Sequence, residues 1–569
     1  MRKSKLLILA LAFVMILALV LTGCNGDDDA TPGNDNGNDV GNDRSGGIFR
    51  MHISNPVYLD PYNAFETQGL TVVSALFDAL VIPDFLEPSI LHPGAALSWD
   101  INDEATQFTF YLDPDGMFAD GTPVTAEHFV FAFNRIADPN AVGTKSLDDD
   151  EDASLLFSQL DAVEGFAEFR AGDADGLSGL VIVDDHTLEI NLSRPFGDFI
   201  FNLAHKAFVP VQERHILEGV EFNGEMVPFG LMPIGNGPFM MAEPWDDHVS
   251  INVVRNPYYS GPAPYIDGIF FNIFGDAAAA FTAFEAGDLD YAEIVPGRLT
   301  QMKEDFGTAG NNGYVANPGE QVIYGLQSGT YFLILNMEDG ATADPEFRRA
   351  INLAINREAI NASVWEDGFE VATDILPPDI PGYLTGAWAD SRFDRDAAIE
   401  ALEASSFDVD NDVVPLVYNT GSFHSEVMAL VQADLNAIGI QTTLEGMDWT
   451  VYNEMLADGN FEIARRGWMT SYPSTHYWLF ELFGTGVGNN ETFYSNAEVD
   501  ALMEKASATA DADARAALYA EANQLIQADN PMVPVAYYAH RAIVSDRMNN
   551  VIAGPLNFID FGSMWIAAD

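Results

Sequence analysis

Residues 48–569 run on without a Pro- or Ser-rich break, without a repeat at any fixed period, and without a second apolar stretch long enough to cross a bilayer. A single hydrophobic core stops growing at about 250 to 300 residues, so a segment of this length has to bury itself in more than one lobe. With no linker to part them, the lobes must be interleaved in sequence. Short β-rich runs bounded by Gly, Pro or Asp recur along the segment: QFTFYL at 107–112, GLVIV at 179–183, TLEINL at 187–192, SINVV at 250–254, YFLILN at 331–336 and VVPLVYN at 413–419. Helical patterns alternate with them. Asp344 is placed to cap PEFRRAINLAINREAI, with Pro345 at the first helical position and Phe347, Ala350, Ile351, Ala354 and Ile355 on one face. Ser495 and Glu498 form a capping box ahead of VDALMEKA. Residues 426–438 carry Val427, Leu430, Val431, Leu435 and Ile438 at helical spacing and stop at Gly439. The mixture predicts α/β lobes.

Charge narrows the partners. The 569 residues hold 86 Asp and Glu against 25 Lys and Arg, a formal net charge of −61, which repels phosphate backbones and argues against nucleic acid. The excess is spread along the chain and suits solubility in concentrated salt, where the Debye length falls to ~3 Å at 1 M. The five consecutive acids at 148–152 read as a solvated loop.

The N-terminus reads as an address. Arg2, Lys3 and Lys5 precede an apolar run over residues 6–21, then Thr22 and Gly23 lead to the single cysteine, Cys24, on the plan of a secretory signal. The run is shorter than the ~20 residues a spanning helix needs. The order Leu21-Thr22-Gly23-Cys24 resembles a bacterial lipobox, which implies cleavage before Cys24, acylation of that residue and anchoring to the outer face of a membrane. Loss of residues 1–23 removes three bases and takes the net charge from −61 to −64. Residues 24–45 form an acidic tether with too few apolar side chains to offset the entropy of ordering. Its Asp and Asn residues lack the glycine placement and terminal Glu of a helix-loop-helix calcium site.

Chemistry-bearing motifs are sparse. There is no GxSxG elbow, no HExxH, no GxxxxGK[ST] and no GxGxxG after a strand. One cysteine allows neither an intramolecular disulfide nor a multi-Cys metal site. His424 and His476 have no metal-ligand spacing, and acid pairs such as Glu221 and Glu225 carry no information at this density of acids. The expectation is a protein without catalytic residues, metal or cofactor, and not an enzyme.

Eight blocks point elsewhere: SNPVYLDP at 54–61, residues 93–139 with TFYLDPDGMFADGTPVTAEHFVFAFNRI inside them, GNGPFMMAEPW at 235–245, RNPYYSGPAPYIDGIFF at 255–271, FEAGDLDYAEIVP at 284–296, EFRRAINLAINREAI at 346–360, IARRGWMTSYPS at 463–474 and MVPVAYY at 532–538. In kind, order and spacing they resemble the extracytoplasmic oligopeptide- and dipeptide-binding proteins of ABC importers, solute-binding family 5. The resemblance implies a two-lobe α/β fold of the type II periplasmic-binding-protein kind, with a ligand cleft between the lobes. The first lobe would be 46–325, with a β-rich subdomain inserted at about 62–200; the second lobe 326–539; and 540–569 a return to the first. The hinge would lie at 327–333 and 535–542. The implied protein is a monomer, lipid-anchored on the outer face of the bacterial membrane, in the periplasm where an outer membrane exists. It would capture oligopeptide and deliver it to a permease and ATPase complex.

The same resemblance implies site residues. Gly467, Trp468 and Met469 match the segment whose backbone pairs with bound peptide, and Phe65, Glu66 and Thr67 match the facing loop of the first lobe. Arg465 and His424 match cations near the peptide's C-terminal carboxylate. Ser471 stands where peptide-binding relatives carry an aspartate for the peptide's α-ammonium. A serine accepts a hydrogen bond but does not neutralise an ammonium. Either a nearby acid such as Glu66 takes over, or the cargo lacks that amine, as a sugar oligomer, a blocked peptide, a metal complex or another solute would. An extracellular enzyme and a surface receptor using the same cleft are the other readings.

Overall fold

The strand Leu326–Leu335 explains the second half of the chain: its side chains are buried alternately on two sides, Tyr331, Leu333 and Leu335 in one apolar cluster and Phe332 and Ile334 in another. A strand covered on both faces must be apolar throughout, which is why 331–336 shows no polar alternation. It is central to a six-stranded sheet of order Glu370–Val371, Met532–Ala539, Leu326–Leu335, Ile463–Met469, Val413–Asn419, Gln441–Met447. Helices cover both faces. In the computed structural model the described residues are 44–64, 66–144, 154, 156–420, 423–470 and 472–567. Cys24 with the signal and most of the tether, Phe65, the acidic run 148–152 and Ser471 lie outside them.

The first half builds a different sheet. Seven strands run in the order Phe239–Met241, Ser250–Arg255, Gly268–Ile273, Ile48–Ile53, Tyr291–Glu293, Ala542–Val544, Val322–Ile323. Ile48–Ile53 pairs in parallel with Gly268–Ile273, and Ala542–Val544 comes from the far end of the chain. A four-stranded antiparallel sheet, Ala96–Ile101, Gln107–Leu112, Thr187–Asn191 and Leu180–Asp184, stands apart within this half. Phe108, Phe110, Leu188 and Ile190 are its buried face. One core cluster draws its buried residues from 49–323 and 542–566, and the two clusters flanking the six-stranded sheet draw theirs from 331–536. The architecture is therefore a mixed α/β pair of lobes crossed by the chain at Leu326–Leu335 and Met532–Ala539.

Local departures have local causes. The expected helix at 345–360 is two, Pro345–Ala354 and Arg357–Val364, because Asn356 leaves helical geometry and its side chain accepts from the Ala359 N–H as a fresh N-cap. The helix His424–Ile438 starts two residues before the expected 426 and ends at Gly439, whose φ of +103° only glycine adopts readily. The expected Ser495–Glu498 capping box is replaced by Asn496, whose side chain accepts from the Glu498 and Val499 N–H groups. Ser495 instead accepts from Thr485.

Candidate functional site

In the six-stranded sheet, Val413–Asn419 runs parallel to both Gln441–Met447 and Ile463–Met469, so the three strands end on one rim at Asn419, Met447 and Met469. The helices His424–Ile438, Trp449–Ala457 and Thr475–Phe483 start just beyond it. Crevices outside the carboxyl ends of parallel strands are where open α/β sheets bind ligands.

Arg465 sits behind that rim and is only 9% exposed. Its guanidinium lies 4.5 Å from the centroid of the Tyr331 ring. Nη2 donates to the Tyr538 hydroxyl at 3.0 Å and Nη1 to Asn419 Oδ1 at 3.3 Å. Nε has no acceptor among the described residues. The backbone of Arg465 is held as well, since Tyr452 donates its hydroxyl to the Arg465 carbonyl. Every side-chain partner is neutral, and no described carboxylate stands within ion-pair distance, in a chain with 86 acids. His424 shares Tyr331 with it, with Nδ1 3.4 Å from the Tyr331 hydroxyl. Burial and then the Arg465 charge lower the His424 pKa to about 4, so the imidazole is neutral at pH 7.

Gly467 pairs with Tyr331, Trp468 with Thr330 and Met469 with Gly329 in the strand register. A Cβ on Gly467 would overlap the Tyr538 hydroxyl, so glycine is what lets this strand pass the tyrosine that holds Arg465. Trp468 is half-buried against Tyr477, with ring centroids 5.3 Å apart, and its buried indole N–H has no partner among the described residues. Met469 is exposed. The second-lobe residues Arg465, His424 and Gly467 thus converge on two tyrosines, Tyr331 and Tyr538. Nothing in the sequence pattern singled these out.

The first-lobe residues are arranged differently. Glu66 caps the helix Thr67–Leu76: its carboxylate accepts from the N–H groups of Val57 at 3.2 Å, Gln68 at 2.7 Å and Gly69 at 2.8 Å. Burial raises its pKa although these donors oppose the shift. The carboxylate is therefore engaged by its own lobe. Thr67 is exposed, and its carbonyl accepts from Thr71.

The lobes meet along a seam beside the rim. Arg515 Nε is 2.7 Å from Asp198 Oδ1, Ser474 donates to the same carboxylate at 3.4 Å, and Gly197 N–H donates to the Ser507 carbonyl at 2.8 Å. Tyr472 donates to Gln159 Oε1 at 2.6 Å.

A two-lobe α/β molecule with a seam between its lobes and an uncompensated cation at a strand-end rim defines a class, the solute-binding proteins that hold a ligand in an interlobe cleft. Residues 91–490 match the family model described as bacterial extracellular solute-binding proteins, family 5, middle region. The chain belongs to this family, whose members work outside the cytoplasm. Among curated proteins, the periplasmic murein peptide-binding protein of Escherichia coli is 27% identical over 503 residues, covering 87% of this chain and 88% of that one. The periplasmic oligopeptide-binding protein of Salmonella typhimurium is 26% identical over 513 residues, covering 87% and 88%. A solved structure of the E. coli murein tripeptide-binding protein superposes with a TM-score of 0.73 at 26% identity, covering 92% of this chain and all of that one.

Proposed function

We propose that this chain is the substrate-binding lipoprotein of an ABC import system, capturing oligopeptides between its lobes and delivering them to a permease and ATPase complex. The observation that carries the reading is Arg465: a buried guanidinium with only neutral partners and a free Nε is completed by a ligand carboxylate, such as the C-terminus of a peptide. Strand-like pairing with the backbone of 467–469 would satisfy peptide N–H and C=O groups without reading side chains. The cleft binds and releases; no bond is made or broken in it. Cys24 would carry the lipid, residues 24–45 would tether the body to the outer face of the membrane, and the chain would act as a monomer. The lobes would be 46–325 with 540–569, and 326–539, with the insertion at about 62–200. The division of the core clusters supports the boundary between the two lobes.

Native mass spectrometry of the mature chain as purified, followed by denaturing identification of whatever is released, tests the cargo. Co-purified short peptides are expected; a single non-peptide solute, or an empty cleft that ignores a peptide library, would overturn it. The mass of the mature N-terminal fragment tests the anchor, which an unacylated Cys24 would exclude.

A further inference from the structure

The two lobes exchange arginines. Arg515 of the second lobe reaches Asp198 of the first, with Nε 2.7 Å from Oδ1. Arg541 of the first lobe, just beyond the crossing strand Met532–Ala539, reaches Glu366 of the second, with Nη2 3.3 Å from Oε1. Asp198, Arg515 and Arg541 are 4%, 8% and 7% exposed, so both pairs are largely enclosed. Backbone is drawn in around them. A Cβ on Gly197 would overlap Arg515 Nη1 and the Thr509 carbonyl, and the Gly197 N–H donates to the Ser507 carbonyl at 2.8 Å. Glu366 accepts in addition from the Gly297 N–H at 2.7 Å, and a Cβ on Gly368 would overlap the Leu299 side chain. Glu366 and Asp367 hold left-handed backbone, φ +57° and +54°, which residues with a Cβ keep only where their surroundings demand it.

Around these pairs, charge opposes the union. Residues 326–539 hold 34 acids against 9 bases, and 46–325 with 540–569 hold 46 against 12, so each lobe is strongly negative. At the seam itself Asp161 of the first lobe and Glu481 of the second line one crevice. Burial raises the Glu481 pKa, and the Asp161 charge pushes the same way. Salt acts on the two forces differently. Exposed charges more than a Debye length apart are largely screened, and that length falls from ~10 Å at 0.1 M to ~3 Å at 1 M, whereas buried pairs are screened much less. Salt therefore removes the repulsion between the lobes and spares the pairs that join them.

We infer that the reciprocal pairs Asp198–Arg515 and Glu366–Arg541 are a clasp that holds the lobes together, and that ionic strength gates it: the ligand-free protein opens in dilute salt and closes in concentrated salt. A cargo that needs the closed form is then bound in proportion to the closed fraction, because apparent affinity scales with the population of the competent state. The gating rests on the two-lobe fold; its consequence for affinity rests on the capture reading above.

Small-angle X-ray scattering from the ligand-free mature chain in 0.1 M and 1 M KCl tests it. The radius of gyration of the unaltered protein is expected to fall with salt, Arg515→Met to keep the larger radius at 1 M, and Arg515→Lys to follow the unaltered protein; the tether, common to all, cancels in the comparison. Asp198→Asn, which keeps an acceptor for Ser474, takes the place of the Met variant if that one folds poorly. A radius that does not change with salt, or that falls as far in Arg515→Met as in the unaltered protein, would overturn the inference and leave peptide capture standing. Titration calorimetry with trialanine at 1 M KCl reads the consequence, since at one salt concentration the screening of the cargo's own contact with Arg465 is shared by every variant. Arg515→Met and Glu366→Gln are each expected to bind about tenfold more weakly, and affinities equal to that of the unaltered protein would overturn the link between clasp and binding. If trialanine binds to none of them, the peptide reading fails, and the scattering alone decides the clasp.

Discussion

Arg135 and Arg465 are the same side chain in nearly the same setting, put to opposite ends. Arg135 is 7% exposed and lies 4.3 Å from the Tyr62 ring; Arg465 is 9% exposed and lies 4.5 Å from the Tyr331 ring. Arg135 then forms two parallel bonds to Asp60, at 2.8 and 2.6 Å, and Thr144 and the Tyr62 N–H complete that carboxylate. Burial alone would raise the Asp60 pKa, but these partners bring it below the ordinary value. Arg465 has two tyrosines, an asparagine amide and, among the described residues, no acid. The first arginine is completed by an acid of the fold; the second, among the described residues, is not, which is what the proposed binding role rests on. Aromatic packing and burial are alike at the two arginines; the counter-ion is what differs.

Breaking the two arrangements should give opposite results. Asp60→Ala strands a buried guanidinium and is expected to cost about 3 to 5 kcal/mol of stability in denaturant melts. Arg465→Met removes a buried charge that the chain never compensated, so stability is expected to hold or rise, since apolar replacement of buried ions is often neutral or favourable. Its binding should fall by about 10- to 100-fold, the worth of a charged hydrogen bond at about 1.5 to 3 kcal/mol. A stability loss in Arg465→Met as large as that of Asp60→Ala would erase the distinction. Gly467→Ala sharpens it. The added Cβ must push the Tyr538 hydroxyl away from Arg465, with about 1 to 3 kcal/mol of overpacking and weaker binding together. Unchanged affinity in this variant would mean that Tyr538 does not position the guanidinium.

The histidine beside Arg465 adds a pH dependence that Arg135 lacks. The His424 pKa in the folded protein is about 4, below the ordinary 6.5. The unfolded chain therefore takes the proton first, and the stability His424 contributes is present above pH 6.5 and lost as pH falls towards 4. A ligand carboxylate beside Arg465 would favour the charged imidazole and raise that pKa. Binding then takes up a proton, and affinity is expected to rise as pH is lowered from 7 to 5, with His424→Gln flattening the profile. Calorimetry in two buffers of different ionisation heat reads the proton directly; no uptake at pH 5 would place the carboxylate away from His424.

The strands were legible because a buried strand writes its environment into composition. QFTFYL at 107–112 and VVPLVYN at 413–419 are strands over those same limits. YFLILN at 331–336 marks the buried part of a longer strand whose first residues, Leu326 and Gln327, are only half-buried. The site was legible only in part. Arg465 and Gly467 came from a motif block and His424 from the family resemblance, but Tyr331 and Tyr538 belong to separate strands, and alternation gives the face of a strand without giving its neighbour. Glu66 illustrates the converse: a carboxylate picked out by the resemblance whose two oxygens are taken by backbone donors of its own helix start.

The smallest effect compares two adjacent residues in the same way, one engaged by the fold and one standing near it. Asn496 and Ser495 are both good N-cap types, and sequence spacing favours Ser495 through Glu498. The helix Ala497–Ser507 uses Asn496, which has extended backbone geometry and accepts from two N–H groups at 3.0 and 3.4 Å. Asn496→Ala is therefore expected to cost about 1 kcal/mol of stability. Ser495→Ala removes only an exposed contact from Thr485, and is expected to fall within ~0.5 kcal/mol of zero. Neither should alter ligand affinity, because the helix packs into the second lobe's core through Val499 and Met503 and not at the strand-end rim. A reversed order of the two costs in denaturant melts would show that the capping box operates in solution and that the Asn496 bonds do not.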